Sequence, residues 1–234
     1  VHDDRATTAR RQHDDAGGDV ATTTARTAAD LIPGERHRGL LVDHDGTLVD
    51  SQAVNYLALR DALALAGVPL DQQWFDARAG VSTTDMVLVL AELTGTPVDA
   101  AAVTRARNAE YLRRVGEVRE IGPVADLIRA TRRTHRSALA TGGQRATVLP
   151  TLDALGLRPL LDAVVTRDDV SAGKPSPDIF LLAADRLGLP PHACLVLEDS
   201  DDGLAAAAAA GMDAVDVRPL RATLGTVREC WGPG

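Results

Sequence analysis

The segment Leu40-Leu41-Val42-Asp43-His44-Asp45-Gly46-Thr47 is an apolar run that ends in two carboxylates two residues apart. A second acidic pair, Glu198-Asp199, ends another apolar run, Cys194–Leu197. Read as strands of a parallel sheet, both runs deliver their acids to the carboxyl edge, where ligands bind in open α/β folds. Asp-x-Asp-Gly alone also suits a plain turn. Two such pairs arriving on apolar strands are different: four carboxylates crowded into a partly desolvated cleft repel one another, so either some are protonated or a divalent cation neutralises them. Hard oxygen ligands favour magnesium, which keeps its waters and takes a phosphate oxygen.

Two complementary groups complete the set. Thr141-Gly142-Gly143 follows the apolar run Ala138–Ala140 and precedes a helix-period stretch, so a hydroxyl and backbone N–H groups stand where an anion binds. Lys174 is the only lysine of a chain whose Lys+Arg total is 25. Where any cation serves, this sequence uses arginine, so the exception marks a place suited to a compact ammonium. It lies in Gly173-Lys174-Pro175-Ser176-Pro177, a stiff loop ahead of a predicted helix, placed to balance a phosphate and an attacking carboxylate.

The elements that must position these residues are legible from Gly39 onward. Short apolar runs at Gly39–Val42, Ala138–Ala140, Ala163–Thr166, Cys194–Leu197 and Ala214–Val217 alternate with helix-period stretches. The pattern predicts an α/β fold, a Rossmann-like doubly wound parallel sheet with helices on both faces. The first two runs lie too far apart for one crossover, and the stretch between them has helical stripes: Val54, Leu57, Ala58, Ala62 and Leu65, then Met86 to Leu93. This predicts an inserted small α-helical cap over residues 52–120 on a core of 37–51 and 121–221. Residues 1–36 hold almost no large apolar side chain before Leu31 and are expected to be a disordered, dispensable tail, with a C-terminal tail over 222–234.

Bulk composition excludes several classes. With 234 residues there is enough chain for one core and a smaller insert. A net charge of -8 argues against a nucleic-acid partner. No apolar stretch approaches the roughly 20 residues of a membrane helix. Cys194 and Cys230 lack the spacing of a disulfide framework or zinc site, which makes a reducing cytoplasm the expected location. The expected partner is a small phosphorylated metabolite, and the expected assembly a monomer or small homo-oligomer.

Taken in order, Asp43-x-Asp45-Gly-Thr, Thr141, Lys174 and Glu198-Asp199 resemble the motifs of the haloacid dehalogenase superfamily of phosphotransferases over about residues 38 to 220. Cap placement and the form Glu198-Asp199-Ser200-x-x-Gly203 point to its β-phosphoglucomutase-like subgroup. Residues 161–220 are similar to bacterial fructose-1-phosphate and 6-phosphogluconate phosphatases; the cap matches less well.

The resemblance implies that Asp43 is the nucleophile of an aspartyl-phosphate mechanism and Asp45 the general acid and then base. It places Mg2+ on Asp43, the Asp45 carbonyl, Glu198 and Asp199, and the phosphoryl oxygens on Thr141, the Gly142 N–H and Lys174. His44, where the family has an apolar residue, is read as a spectator. Three functions stay open at this point: a sugar-phosphate phosphatase, a phosphosugar mutase, and an inactive partner-binding relative. The mutases carry a cap arginine after a Gly-Val-Ser turn, whereas here Thr83 follows Gly80-Val81-Ser82, with Arg78 as the nearby substitute.

Overall fold

The computed structural model describes residues 20–220 apart from Ala79 and Gly80. The elements in chain order are β1 (Thr22–Thr24), β2 (Gly39–Val42), β3 (Val49–Asp50), α1 (Gln52–Ala64), α2 (Gln72–Asp76), α3 (Thr83–Thr94), α4 (Ala100–Arg113), β4 (Arg119–Glu120), α5 (Gly122–Thr131), β5 (Arg136–Ala140), α6 (Arg145–Ala154), β6 (Ala163–Val165), α7 (Asp178–Leu187), β7 (Cys194–Glu198), α8 (Asp201–Ala209) and β8 (Asp213–Asp216).

Six strands pair in parallel in the order β1-β8-β7-β2-β5-β6. The central strand β2 is apolar at every position because both faces are covered. In β2, Leu40 and Val42 join the α5 and α6 side with Val124, Ile128, Val148 and Leu152, while Leu41 joins the α7 and α8 side with Phe180, Ala183 and Ala206. The fold is therefore the Rossmann-like, doubly wound arrangement of the sequence reading. The alanine-rich α8 buries Ala206 and Ala207 against the sheet and stops before Gly211, whose φ of 71° suits a residue without a Cβ.

Helices α1 to α4 lie between β3 and β4, which pair as a short antiparallel ribbon, Val49 with Glu120 and Asp50 with Arg119. They hold a core of their own around Leu59, Leu63, Phe75, Val87, Leu90 and Val103. The predicted stripes are partly displaced. Leu65 and Leu93 are exposed, and Leu59 and Leu63 are buried in their place, because α1, packed on α4, serves two apolar clusters: Val54 and Ala58 join Tyr111, while Leu59 and Leu63 join Val87 and Val103.

The expectation of a disordered tail up to residue 36 is corrected from residue 20 onward; residues 1–19 and the C-terminal tail over 222–234 lie outside the described residues. Thr22–Thr24 form the edge strand β1, in register with Ala214–Asp216 of β8. Ala25 and Leu31 are fully buried in the core. Asp213 ties the segment down: it accepts from the Ala21 N–H at 2.9 Å, pairs with the Arg36 guanidinium, and lies 2.9 Å from His37 Nε2. Burial works against the Asp213 charge, but these partners outweigh it and lower its pKa. A strand needs backbone partners more than apolar side chains, which is why composition alone missed it. Leu31→Ala is accordingly expected to lower the unfolding free energy by about 3 kcal/mol in urea titration. A change inside the error of the titration would restore the dispensable tail.

Candidate active site

The carboxyl edge of the sheet gathers the sequence-predicted residues. Asp43 extends β2, its N–H donating to Leu197 O at 3.1 Å, and Thr141 extends β5 by donating to Val165 O at 3.0 Å. Glu198 is the last residue of β7. Lys174 reaches in from the loop between β6 and α7, and its Nζ donates to Asp43 Oδ1 and Glu198 Oε2, both at 2.6 Å. The ammonium also lies 5.1 Å from the centre of the buried Phe180 ring, a favourable place for a cation.

Glu198 is almost fully buried and is held rigidly. Its Oε1 accepts from the N–H groups of Asp199 and Ser200, both at 3.1 Å, and from the Ser200 hydroxyl at 2.7 Å. Ser200 is also the N-cap of α8, accepting from Gly203 N–H at 3.1 Å. Gly203 must lack a side chain, since a Cβ there would stand 2.0 Å from Glu198 Cδ. Gly203→Ala is therefore expected to push Glu198 off the Lys174 ammonium and to cost about 1–3 kcal/mol by overpacking. Thermal melts and activity on one preparation check this; a variant with wild-type melting and turnover would show that the contact is not needed.

Oxygens of Asp43, Glu198 and Asp199 all lie within 4.8 Å of one another. Thr47 Oγ1 donates to Asp199 Oδ1 at 3.3 Å. Three carboxylates facing one ammonium leave an excess of negative charge. Burial and then Glu198 push the Asp43 carboxyl well up despite Lys174. Burial opposes the Lys174 charge, but Asp43 and Glu198 outweigh it and hold the ammonium protonated. An all-oxygen set with surplus negative charge suits a hard divalent cation.

Asp45 faces the cap. Its Oδ1 accepts from Ser51 Oγ, and from Asn55 Nδ2 at 3.1 Å. The Arg107 guanidinium donates to Asn55 Oδ1 and lies over the Tyr111 ring, 5.0 Å from its centre. Burial raises the Asp45 pKa, but His44, Ser51 and Arg107 overcome it and hold the carboxyl ionised. The buried His44 places Nδ1 3.1 Å from Asp45 Oδ2. The glycine turn closes on the same carboxylate: Thr141 Oγ1 accepts from Gly143 N–H at 2.9 Å, and a Cβ on Gly143 would lie 3.6 Å from Asp45 Oδ2. Gly142 is exposed, and its N–H meets no acceptor among the described residues.

Sequence reasoning missed Ser51, Asn55 and Arg107. Asn55 offered one signal, a polar side chain one position after Val54 on α1. Arg78, the substitute cap cation, stacks 3.8 Å from the Trp74 ring centre and donates to Trp74 O at 3.0 Å.

Comparison with known proteins agrees with this geometry. Residues 37–211 match the family model described as haloacid dehalogenase-like hydrolase. Fructose-1-phosphate phosphatase YqaB of Escherichia coli is 38% identical over 80% of this chain and 99% of that protein. A phosphorylated carbohydrates phosphatase of Thermotoga maritima is 27% identical over 75% of this chain and 82% of that one. Among solved structures, CbbY from Rhodobacter sphaeroides in complex with xylulose-(1,5)bisphosphate superposes with a TM-score of 0.70 at 26% identity, covering 77% of this chain and 86% of that one. With a family match across most of its length and a close relative covering four fifths of it, the chain belongs to the haloacid dehalogenase-like hydrolase family and sits among that family's phosphatases.

Proposed function

We propose that the chain hydrolyses the phosphate monoester of a small sugar or sugar acid, of the fructose-1-phosphate or 6-phosphogluconate type, through an aspartyl phosphate on Asp43. The observation that carries the reading is the meeting of Asp43, Lys174 and Glu198 at one sheet edge beside Thr141 and Asp45. Asp43, Glu198 and Asp199, with the Asp45 carbonyl, would hold Mg2+. When bound, the cation neutralises the carboxylates and draws charge from the phosphoryl oxygens.

The protein's own groups divide the remaining work. An Asp43 carboxylate oxygen attacks phosphorus, and the ester P–O bond breaks toward the sugar oxygen. Lys174, the Thr141 hydroxyl and the Gly142 N–H hold the phosphoryl oxygens as charge develops on them. Asp45 gives the leaving oxygen its proton; a phosphate dianion brought beside Asp45 raises its proton affinity, which favours the acid form. The ionised form left behind then takes a proton from the water that attacks the aspartyl phosphate, releasing inorganic phosphate and restoring Asp43. The helices over 52–120 would act as the cap that chooses the substrate, set on the core that carries the six-stranded sheet.

Hydrolysis is favoured over isomerisation because a mutase needs a second phosphate site. Thr83 supplies a neutral hydroxyl where an arginine is required, and Arg78 lies stacked on the Trp74 ring. No helix among the described residues is long and apolar enough to cross a membrane, and we place the enzyme in a reducing cytoplasm. The test is phosphate release with Mg2+ from a panel of sugar, polyol and small-acid phosphates that includes fructose 1-phosphate. In parallel, β-glucose 1-phosphate is incubated with and without glucose 1,6-bisphosphate. Release from a sugar monophosphate without bisphosphate supports the proposal; glucose 6-phosphate formed without phosphate release would replace it by the mutase.

A further inference from the structure

The amino edge of the sheet, opposite the candidate active site, carries a concentration of positive charge. Arg38 precedes β2, Arg136 opens β5, and Arg132 and Arg133 follow α5; with His135 and Asp162 they line an open cavity of about 390 Å³. All four guanidiniums are exposed, and none forms an ion pair among the described residues. Three are aimed by backbone carbonyls that leave their charge intact. Arg38 donates to Glu35 O at 2.6 Å and His37 O at 2.8 Å, Arg136 to Leu187 O at 2.6 Å, and Arg132 to Pro159 O.

The one carboxylate of the lining, Asp162, accepts from the Ser137 N–H at 2.8 Å. The lining thus sums four positive charges against one negative in a chain whose net charge is -8. Burial, then Arg38 and His37, lower the pKa of His135, which favours its neutral form. A helix-dipole role accounts for Arg132 and Arg133 at the end of α5. It does not account for Arg38, which precedes β2, or Arg136, which opens β5.

We propose that this cavity binds a small polyphosphate anion, at a site separate from that of the substrate. Guanidinium forks pair with adjacent phosphate oxygens two bonds at a time, and four of them around one basin suit a ligand with several anionic groups. The cavity volume falls in the usual range for small-molecule sites. Leu189 is the one large apolar residue of the lining, so the ligand carries little hydrocarbon.

The test is calorimetric titration of the whole chain with sodium tripolyphosphate, in chelator and at an ionic strength of about 0.1 M, which screens distant charges. One site is expected. The double substitution Arg132→Ala, Arg133→Ala should weaken binding at least about tenfold, equivalent to about 1.4 kcal/mol, in a protein that still melts cooperatively. Arg133→Glu, a single change at an exposed position, should abolish it. Lys174→Ala should bind as the wild type does, separating this site from the active site. The proposal is overturned if the wild type does not bind, if the arginine variants bind normally, if Lys174→Ala loses binding, or if sulfate at equal concentration displaces the ligand.

Discussion

Replacing Asp43 by asparagine is expected to lower turnover by at least about a thousandfold, some 4 kcal/mol of transition-state stabilisation, while the protein stays folded. The amide is a poor nucleophile, so no phosphoenzyme can form on it. The fold survives because Lys174 keeps its second partner, Glu198, at 2.6 Å. Asparagine also removes a buried carboxylate that burial and Glu198 both disfavour, so stability should hold or rise. Phosphate release and urea denaturation on one preparation check both halves. Residual turnover within tenfold of the wild type would assign the attack to another group, water included.

Lys174→Arg should fail despite keeping the charge, with a loss of at least about tenfold, roughly 1.4 kcal/mol. The ammonium is a point donor seated between two oxygens, each 2.6 Å away, with only 10% of its side chain exposed. A planar fork is wider than this point donor, and the Phe180 ring lies 5.1 Å from the ammonium. The informative measurement is kcat against KM: loss of transition-state contacts lowers kcat, whereas a merely structural role would show as lowered melting. Normal kinetics would make the single lysine an accident of composition.

What sequence made legible was governed by range. Asp43, Glu198 and Thr141 could be placed because each directly follows or ends an apolar strand, and strand ends in a parallel sheet share one edge. Lys174 stood out by composition, and its loop position sufficed. The Asp45 network could not be read in the same way, since Asn55 meets Arg107 across 52 residues and nothing local announces the pair. The cap stripes were read one helix at a time, so the share of α1 in two separate apolar clusters moved the buried face toward Leu59 and Leu63. The arginine basin escaped for a related reason: Arg38 lies about a hundred residues from Arg132 and Arg136 in sequence, and only the pairing of β2 with β5 makes them neighbours.

The edge strand β1 has a consequence for colloidal behaviour. Without it, β8 would present an unpaired row of N–H and C=O groups beside the apolar Ala214 and Val215, an open template for another copy of the chain. Three threonines and an ion-paired Asp213 close that template with a strand that is itself polar and only three residues long, too short to recruit a neighbour. Loss of the segment from Val20 to Leu31 would thus be felt as concentration-dependent self-association as well as lost core packing.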